Sequence, residues 1–260
     1  KLSVGIVSAY KLYGDGSALT GISGGGGGIS TTIMKTDPQE NLYAGTSAGA
    51  ASDADTCFNI GIGYSAGASL NAGDYNVLLG CGAGNSLSSG TGNVMLGSLA
   101  GRGKQSGTNN ILIGCKAGCS GSSSGTGNIV MGSSAAMGVN GNSSVVLGYE
   151  AGWLGSIGSC SIIIGKSAGY FSGGDHNVFL GHYTGGKNTG GDGNVFIGRQ
   201  AGCSNTTGCC NIAIGYQVTV PSVTGNCQLA IGQGSDRWIT GNANFNVGIG
   251  TTNPDIPVGA

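Results

Sequence analysis

The stretch Asn76-Val-Leu-Leu-Gly80 decides how this chain is read. It returns as Asn93-Val-Met-Leu-Gly97, as Asn110-Ile-Leu-Ile-Gly114 and, further on, as Asn194-Val-Phe-Ile-Gly198. Each copy is Asn, three apolar residues and Gly. The closing glycines fall at 45, 63, 80, 97, 114, 132, 148, 165, 181, 198, 215, 232 and 250, which makes thirteen copies at spacings of 16 to 18. A fixed period of this size is the signature of a stacked repeat architecture. One copy has almost nothing to bury, so the core exists only once neighbours stack. Helical periodicity is absent, and three apolar residues between polar and glycine corners suit a short strand. The chain therefore reads as all-β: a parallel β-solenoid or β-roll of ~17-residue turns with thirteen rungs, spaced about 4.8 Å apart.

The columns of the repeat differ in character. The first apolar position is always aliphatic, from Leu42 and Ile60 to Val247, and the third is aliphatic too, with Ala44 its smallest member. Residues two apart on a strand share a face, so these two columns are expected to line the core. The middle position then points outward. Its large members are Leu78, Met95, Leu112, Val130, Val146, Ile163, Phe179 and Phe196, with Tyr43, Gly61, Ala213, Ala230 and Gly248 towards the ends. None is charged. An outward stripe of this kind exceeds what soluble monomers usually expose, so it is expected to be an interface between chains, whether of a dimer or a trimer. The Asn column is Asn in ten copies and Ser144, Ser161 or Gln228 in the others. Stacked amides there can hydrogen-bond along the axis, as in the polar ladders of cross-β stacks. Glycines recur four residues after the closing Gly and three before the Asn. Both positions suit corners that need positive φ or close backbone approach.

Composition agrees with a repetitive structural chain. Of 260 residues 57 are Gly, charged residues make up 8% and hydrophobic ones 39%. Collagen is excluded by the lack of a three-residue glycine period and by only 4 Pro. A net charge of −1 without any basic run gives no support for nucleic-acid binding. No apolar run of ~18 residues is present to suggest a membrane span. The nine cysteines contain no CxxC pair and are too sparse for a disulfide scaffold. They are expected to be small, buried, reduced thiols, with Cys210 and Cys227 one rung apart in the same column.

Residues 1–40 lie outside the regular repeat and read as an N-terminal β and linker segment, with a hinge at the five glycines 24–28. Residues 41–236 form the repeat domain, and 237–260 form a C-terminal cap with the last rung. The start at Lys1 is read as that of a fragment or of the ordered part of a longer protein.

No catalytic, metal or cofactor site is expected, and the chain is not read as an enzyme. Gly61-Ile-Gly-Tyr-Ser-Ala-Gly67 has the outline of a dinucleotide loop, but no helix follows and the same glycines recur in every repeat. His176 and His182 are the only histidines. Asp175 beside His176 has no nucleophile motif to serve, and the cysteine spacing does not suit zinc. Gly-Asp pairs are too sporadic for a calcium β-roll, and the Thr-x-Thr array of an ice-binding face is missing. One cluster stands out. Met137, Trp153 and Tyr170 share the fifth position after the closing Gly on consecutive rungs, and Phe171, His182 and Tyr183 lie close in sequence. Trp153, Tyr170, Phe171, His182 and Tyr183 are candidate receptor or partner contacts. The competing expectation is that they fill a corner of the core or a chain interface.

The repeat N-h-h-h-G-x-x-A-G, from Asn41 to about Asp236, resembles the head repeats of trimeric autotransporter adhesins. The resemblance implies a left-handed parallel β-roll assembled as a homotrimer. The flanks resemble bacteriophage tail-fibre proteins, especially those of marine phages. Gly14-Asp-Gly-Ser-Ala-Leu-Thr-Gly21 is similar to their GDGSGLTG segment. Val247-Gly-Ile-Gly-Thr-Thr-Asn-Pro254 is similar to the VGIGTTxP segment that often precedes an endosialidase-type intramolecular chaperone, a domain not found within these residues. The function this implies is that of a structural fibre shaft in a virion tail. Such a shaft would assemble in the host cytoplasm, join other virion tail proteins and contribute to host attachment through a surface glycan or protein. The alternative is the head of a trimeric adhesin on a bacterial cell surface.

Overall fold

The structure, a computed structural model, describes residues 35–120, 125–244 and 246–250. The expected strands within residues 1–13 and the hinge at 24–28 lie outside them. The fold is an all-β parallel solenoid of about eleven turns. A short strand β1 (Lys35–Thr36) pairs antiparallel with β2 (Leu42–Ala44) and opens the sheet. From β2 the motif strands stack in parallel: β3 (Ile60–Ile62), β4 (Val77–Leu79), β5 (Val94–Leu96), β6 (Ile111–Ile113) and β7 (Ile129–Met131). The stack goes on through β9 (Val145–Leu147), β11 (Ile162–Ile164), β12 (Val178–Leu180), β13 (Val195–Ile197), β14 (Ile212–Ile214) and β15 (Leu229–Gln233). Register is strict: Val77 pairs with Val94, Leu78 with Met95 and Leu79 with Leu96. A separate two-stranded parallel sheet, β8 (Gly138–Val139) with β10 (Ser156–Ile157), forms in the connections of the middle turns.

All thirteen motif copies form strands, but the thirteenth does not stack as a rung. β16 (Asp236–Gly241) folds back antiparallel on β15, and the last copy, β17 (Val247–Ile249), pairs antiparallel with β16. Twelve strands thus run in parallel, and each end of the stack meets a strand of reversed direction. The terminal strands β1 and β17 are only 2 and 3 residues long, and edges this short offer few open hydrogen-bonding groups to another chain.

The alternation of faces is the reverse of the sequence reading. The middle column is interior. Leu78, Met95, Leu112, Val130, Val146, Ile163, Phe179 and Phe196 are all fully buried. They are core residues of one chain and do not form an interface stripe. The first and third columns flank them on the outside, with burial patterns such as exposed–buried–exposed at β3, β7 and β11. The reason is volume. A turn of this length, rich in glycine, encloses room for one strand side chain per rung. Opposite it sit Ala66, Ala83, Ala100, Ala117, Ala151, Ala168 and Ala201, with Leu70 and Leu87 beyond, all fully buried. Large members are matched by missing side chains. The ring of Phe179 lies where a Cβ on Gly185 would be, 2.7 Å away, and Tyr43 fills the gap left by Gly61 in the next rung at the same distance. Phe179 and Phe196 stack at 5.2 Å between ring centroids.

The asparagine column lies on the same interior face, two residues from the middle position. Asn93 donates through its backbone N and its Nδ2 to Asn76 Oδ1, both at 3.0 Å, and its Nδ2 also donates to Gly107 O at 2.7 Å. Its own Oδ1 accepts the same pair of bonds from Asn110. The amide is fully satisfied inside the fold, as a buried polar group must be. The chain of bonds runs from Asn41 to Asn128, passes through the hydroxyls of Ser144 and Ser161, and resumes from Asn177 to Gln228.

Two corners explain the glycines. Gly80 has φ 135°, and a Cβ there would lie 2.6 Å from the Gly97 carbonyl of the next turn. Gly90 keeps ordinary φ but faces the Gly107 carbonyl too closely for any side chain. The residue two after the closing Gly is left-handed even when it is Ser65, Leu99 or Gln200. Each such non-glycine residue costs roughly 1–2 kcal/mol. Backbone bonds to the neighbouring turns, such as Leu99 N to Cys81 O at 2.8 Å, hold the geometry.

Two outcomes test this interior. Asn93→Ala should lower unfolding free energy by at least about 2 kcal/mol, because it leaves the buried donors of Asn110 without their acceptor; chemical denaturation measures this. Lys104 takes the interior position held by Leu70 and Leu87 in the two preceding turns, and burial lowers its amine from 10.5 to about 8. The unfolded lysine therefore holds its proton to higher pH than the folded one. The stability of the wild type relative to Lys104→Met should be flat below pH 8 and rise between pH 8 and about 10.4. A flat difference across that window would contradict burial of the amine.

Candidate functional site

Two surface features distinguish this rod from a plain polar solenoid. The first is the outer face of the long sheet. Each of the twelve parallel strands places two apolar side chains there and no charged one, and the one polar side chain is Gln233 at the end of β15. Ile62 is 41% exposed, Met131 42% and Ile162 40%. The face continues across the cap although strand direction reverses. Leu229, Gly241 and Val247 lie in register across β15, β16 and β17, as do Ile231, Ile239 and Ile249. Ile249 is 81% exposed. Apolar pattern is thus kept where the turn repeat itself has ended.

The second feature is aromatic and lies past the glycine corner from that face. Trp153 and Tyr170 occupy the fifth position after the closing Gly in consecutive turns, tied by Leu154 N to Tyr170 O at 2.8 Å. Their ring centroids are 5.3 Å apart at 64°. Phe171 meets Tyr170 edge-on at 4.8 Å and 74°. In the next turn the fifth position is Gly186, and a Cβ there would lie 2.7 Å from the Tyr183 ring. Tyr183 therefore leans into that vacant place and continues the row, 6.3 Å from Tyr170. Met137 extends it on the other side, where its Sδ accepts from Trp153 Nε1 at 2.6 Å. In other turns the same position is Ala50, Ala68, Asn85, Arg102, Cys119, Cys203 or the buried Val220.

Four of the five predicted contact residues, Trp153, Tyr170, Phe171 and Tyr183, are thus brought into one cluster, with His182 at its edge, 6.5 Å from Tyr183. All are half-buried or exposed, so they do not fill the core. Spacing in sequence missed the polar border. The neighbouring Glu150 carboxylate pushes the Tyr149 phenol up, and Lys166 sits over the Tyr149 ring at 5.8 Å. Burial, with Glu150 nearby, raises Tyr170 as well. These residues are the first and second after their closing glycines, columns too variable to attract notice.

The remaining candidates resolve into structure. Asp175 Oδ1 accepts from Ser159 N at 2.7 Å, and Asp175 N donates to Asp192 Oδ1 at 2.8 Å, so Asp175 belongs to a surface ladder between turns. The glycines of Gly61–Gly67 are corners and gaps of the stack. Among the described residues no group of three or more His, Cys, Asp or Glu could hold a metal ion. No helix among them is long and apolar enough to cross a membrane.

All nine cysteines are free, but none is buried, contrary to expectation. The interior column is occupied by larger apolar groups, and the cysteines fall on corners and connections. No protein-family model, curated protein or solved structure matches the chain.

Thiol reactivity should follow this placement. Cys81, Cys115, Cys160, Cys210 and Cys227 are exposed, whereas burial raises the thiols of Cys119 and Cys203 and so lowers their thiolate fraction at neutral pH. Timed alkylation with peptide mass spectrometry should label the exposed five several-fold faster than Cys119 and Cys203. Equal rates would contradict the assignment.

Proposed function

We propose that the chain is the structural shaft of a phage tail fibre, assembled as a parallel homotrimer through the outer face of its sheet, with a lateral site that contributes to host attachment. The observation that carries this reading is the long apolar, uncharged outer face of the twelve parallel strands. Fully burying a large aliphatic side chain contributes about 1.5–3 kcal/mol, so covering the remaining third contributes roughly 0.5–1 kcal/mol. With two such side chains per strand over twelve strands, the gain is comparable to or above the roughly 4–15 kcal/mol cost of association. A second copy of the same chain suits this face best. It presents an equally long, equally uncharged stripe at the same rung spacing, and cyclic symmetry lets identical stripes meet about one axis. Three copies follow from the resemblance to trimeric adhesin heads. The virion setting, with other tail proteins as neighbours, follows from the resemblance of the flanks to tail fibres.

The test separates the two faces of one strand. At micromolar concentration the wild type should sediment as a trimer. Ile111→Asp with Ile212→Asp, on the outer face, should sediment as a monomer with an unchanged β-type circular dichroism spectrum. Leu112→Asp, one residue away in the interior, should lose that spectrum. A wild type that remains a stable monomer would overturn the proposed assembly.

A further inference from the structure

We infer that the row Trp153–Tyr170–Tyr183, with Phe171 beside it, is a binding site for an extended, largely uncharged oligosaccharide. The inference rests on the attachment role proposed above and specifies the chemistry it would use.

Three independent departures from the repeat coincide here. The interior asparagine chain changes to Ser144 and Ser161 in the same turns. The connections of those turns form the separate sheet of β8 and β10. And the fifth position, non-aromatic in every other turn, is aromatic at Trp153 and Tyr170. Places where a regular sequence breaks its own local rules tend to be functional sites.

The arrangement points to sugar more than to another ligand. The rings rise one per turn, so the row runs along the axis and offers successive contacts to a chain of repeating units. Tyr170 meets its neighbours Trp153 and Phe171 at 64° and 74°, which leaves ring edges and shallow slots between them in place of one flat apolar plate. A pyranose has the matching surface, with C–H groups on one face and hydroxyls around the rim. Phe171 is 40% exposed and supplies apolar area. Glu150, Tyr149, Lys166 and His182 border the row with acceptors and donors for hydroxyls. One acidic and one basic side chain at this border give no net bias towards a polyanion. The row lies past the glycine corner from the aliphatic sheet face, so the two surfaces use different residues of each turn.

The assay is retention of the intact protein on a printed panel of hexose and N-acetylhexosamine oligosaccharides, followed by fluorescence titration. Trp153 and Trp238 are the two tryptophans, so Trp238→Phe leaves Trp153 as the reporter. At least one panel member should be retained, should change Trp153 emission on titration, and should show at least tenfold weaker retention, read from the panel at graded protein concentration, with Trp153→Ala and Tyr170→Ala. Phe171→Ser, at the exposed border, guards against misfolding and should weaken binding several-fold with an unchanged melting temperature. Retention that survives all three substitutions overturns the inference, as does a panel with no ligand, or capture through this row of a protein and of no glycan. Sedimentation of the same samples is read separately, so the sugar site can fail while the assembly stands.

Discussion

The buried amide chain sets the rest of the structure. The amides tie successive turns together: Asn93 Nδ2 donates to Asn76 Oδ1 and to Gly107 O, and Asn93 Oδ1 accepts from Asn110. A slip of one residue would turn every side chain in a strand to the opposite face and leave an amide unpaired in the interior, at a cost of about 1–3 kcal/mol per orphaned group. The chain therefore fixes register at every turn. It passes through Ser144 and Ser161 by substituting a hydroxyl for an amide at the same point in space.

Because Asn and the middle apolar residue share parity, fixing the amides inside also fixes Leu78, Met95 and Leu112 inside. The flanking aliphatic residues are then forced outward, and an exposed apolar sheet face follows. The same parity holds through the antiparallel cap, where Thr240 is buried between Ala230 and Gly248 while Ile231, Ile239 and Ile249 point out. The rod's interior and its sticky exterior are thus two consequences of one polar interaction.

Much of this was legible in the residues. The period, the strands, the glycine corners and the amide ladder can all be read from Asn76–Gly80 and its repeats. The face assignment failed because three consecutive apolar residues carry no alternation of their own. The deciding signal was adjacent: a buried asparagine column implies that the residue two further on is buried as well. The fate of the thirteenth copy was hidden because Val247–Gly250 matches the motif, while the intervening strand Asp236–Gly241 carries no repeat signature. The aromatic residues could be grouped by column, yet the place of Tyr183 in the row depends on the absent side chain of Gly186, which only the fold reveals. The left-handed corners at Ser65, Leu99 and Gln200 were likewise invisible, since nothing about those residue types favours positive φ.

Two methionines report directly on which face is inside. Met95 sits in the middle column, fully buried, and Met131 in the third column of its strand, 42% exposed. Peroxide oxidation followed by peptide mass spectrometry, in the wild type and in the monomeric variant charged at Ile111 and Ile212, reads both. Met131 should oxidise readily in the monomer and be shielded in the assembled wild type, while Met95 should be shielded in both. Rapid oxidation of Met95 with shielding of Met131 in the monomer would contradict it.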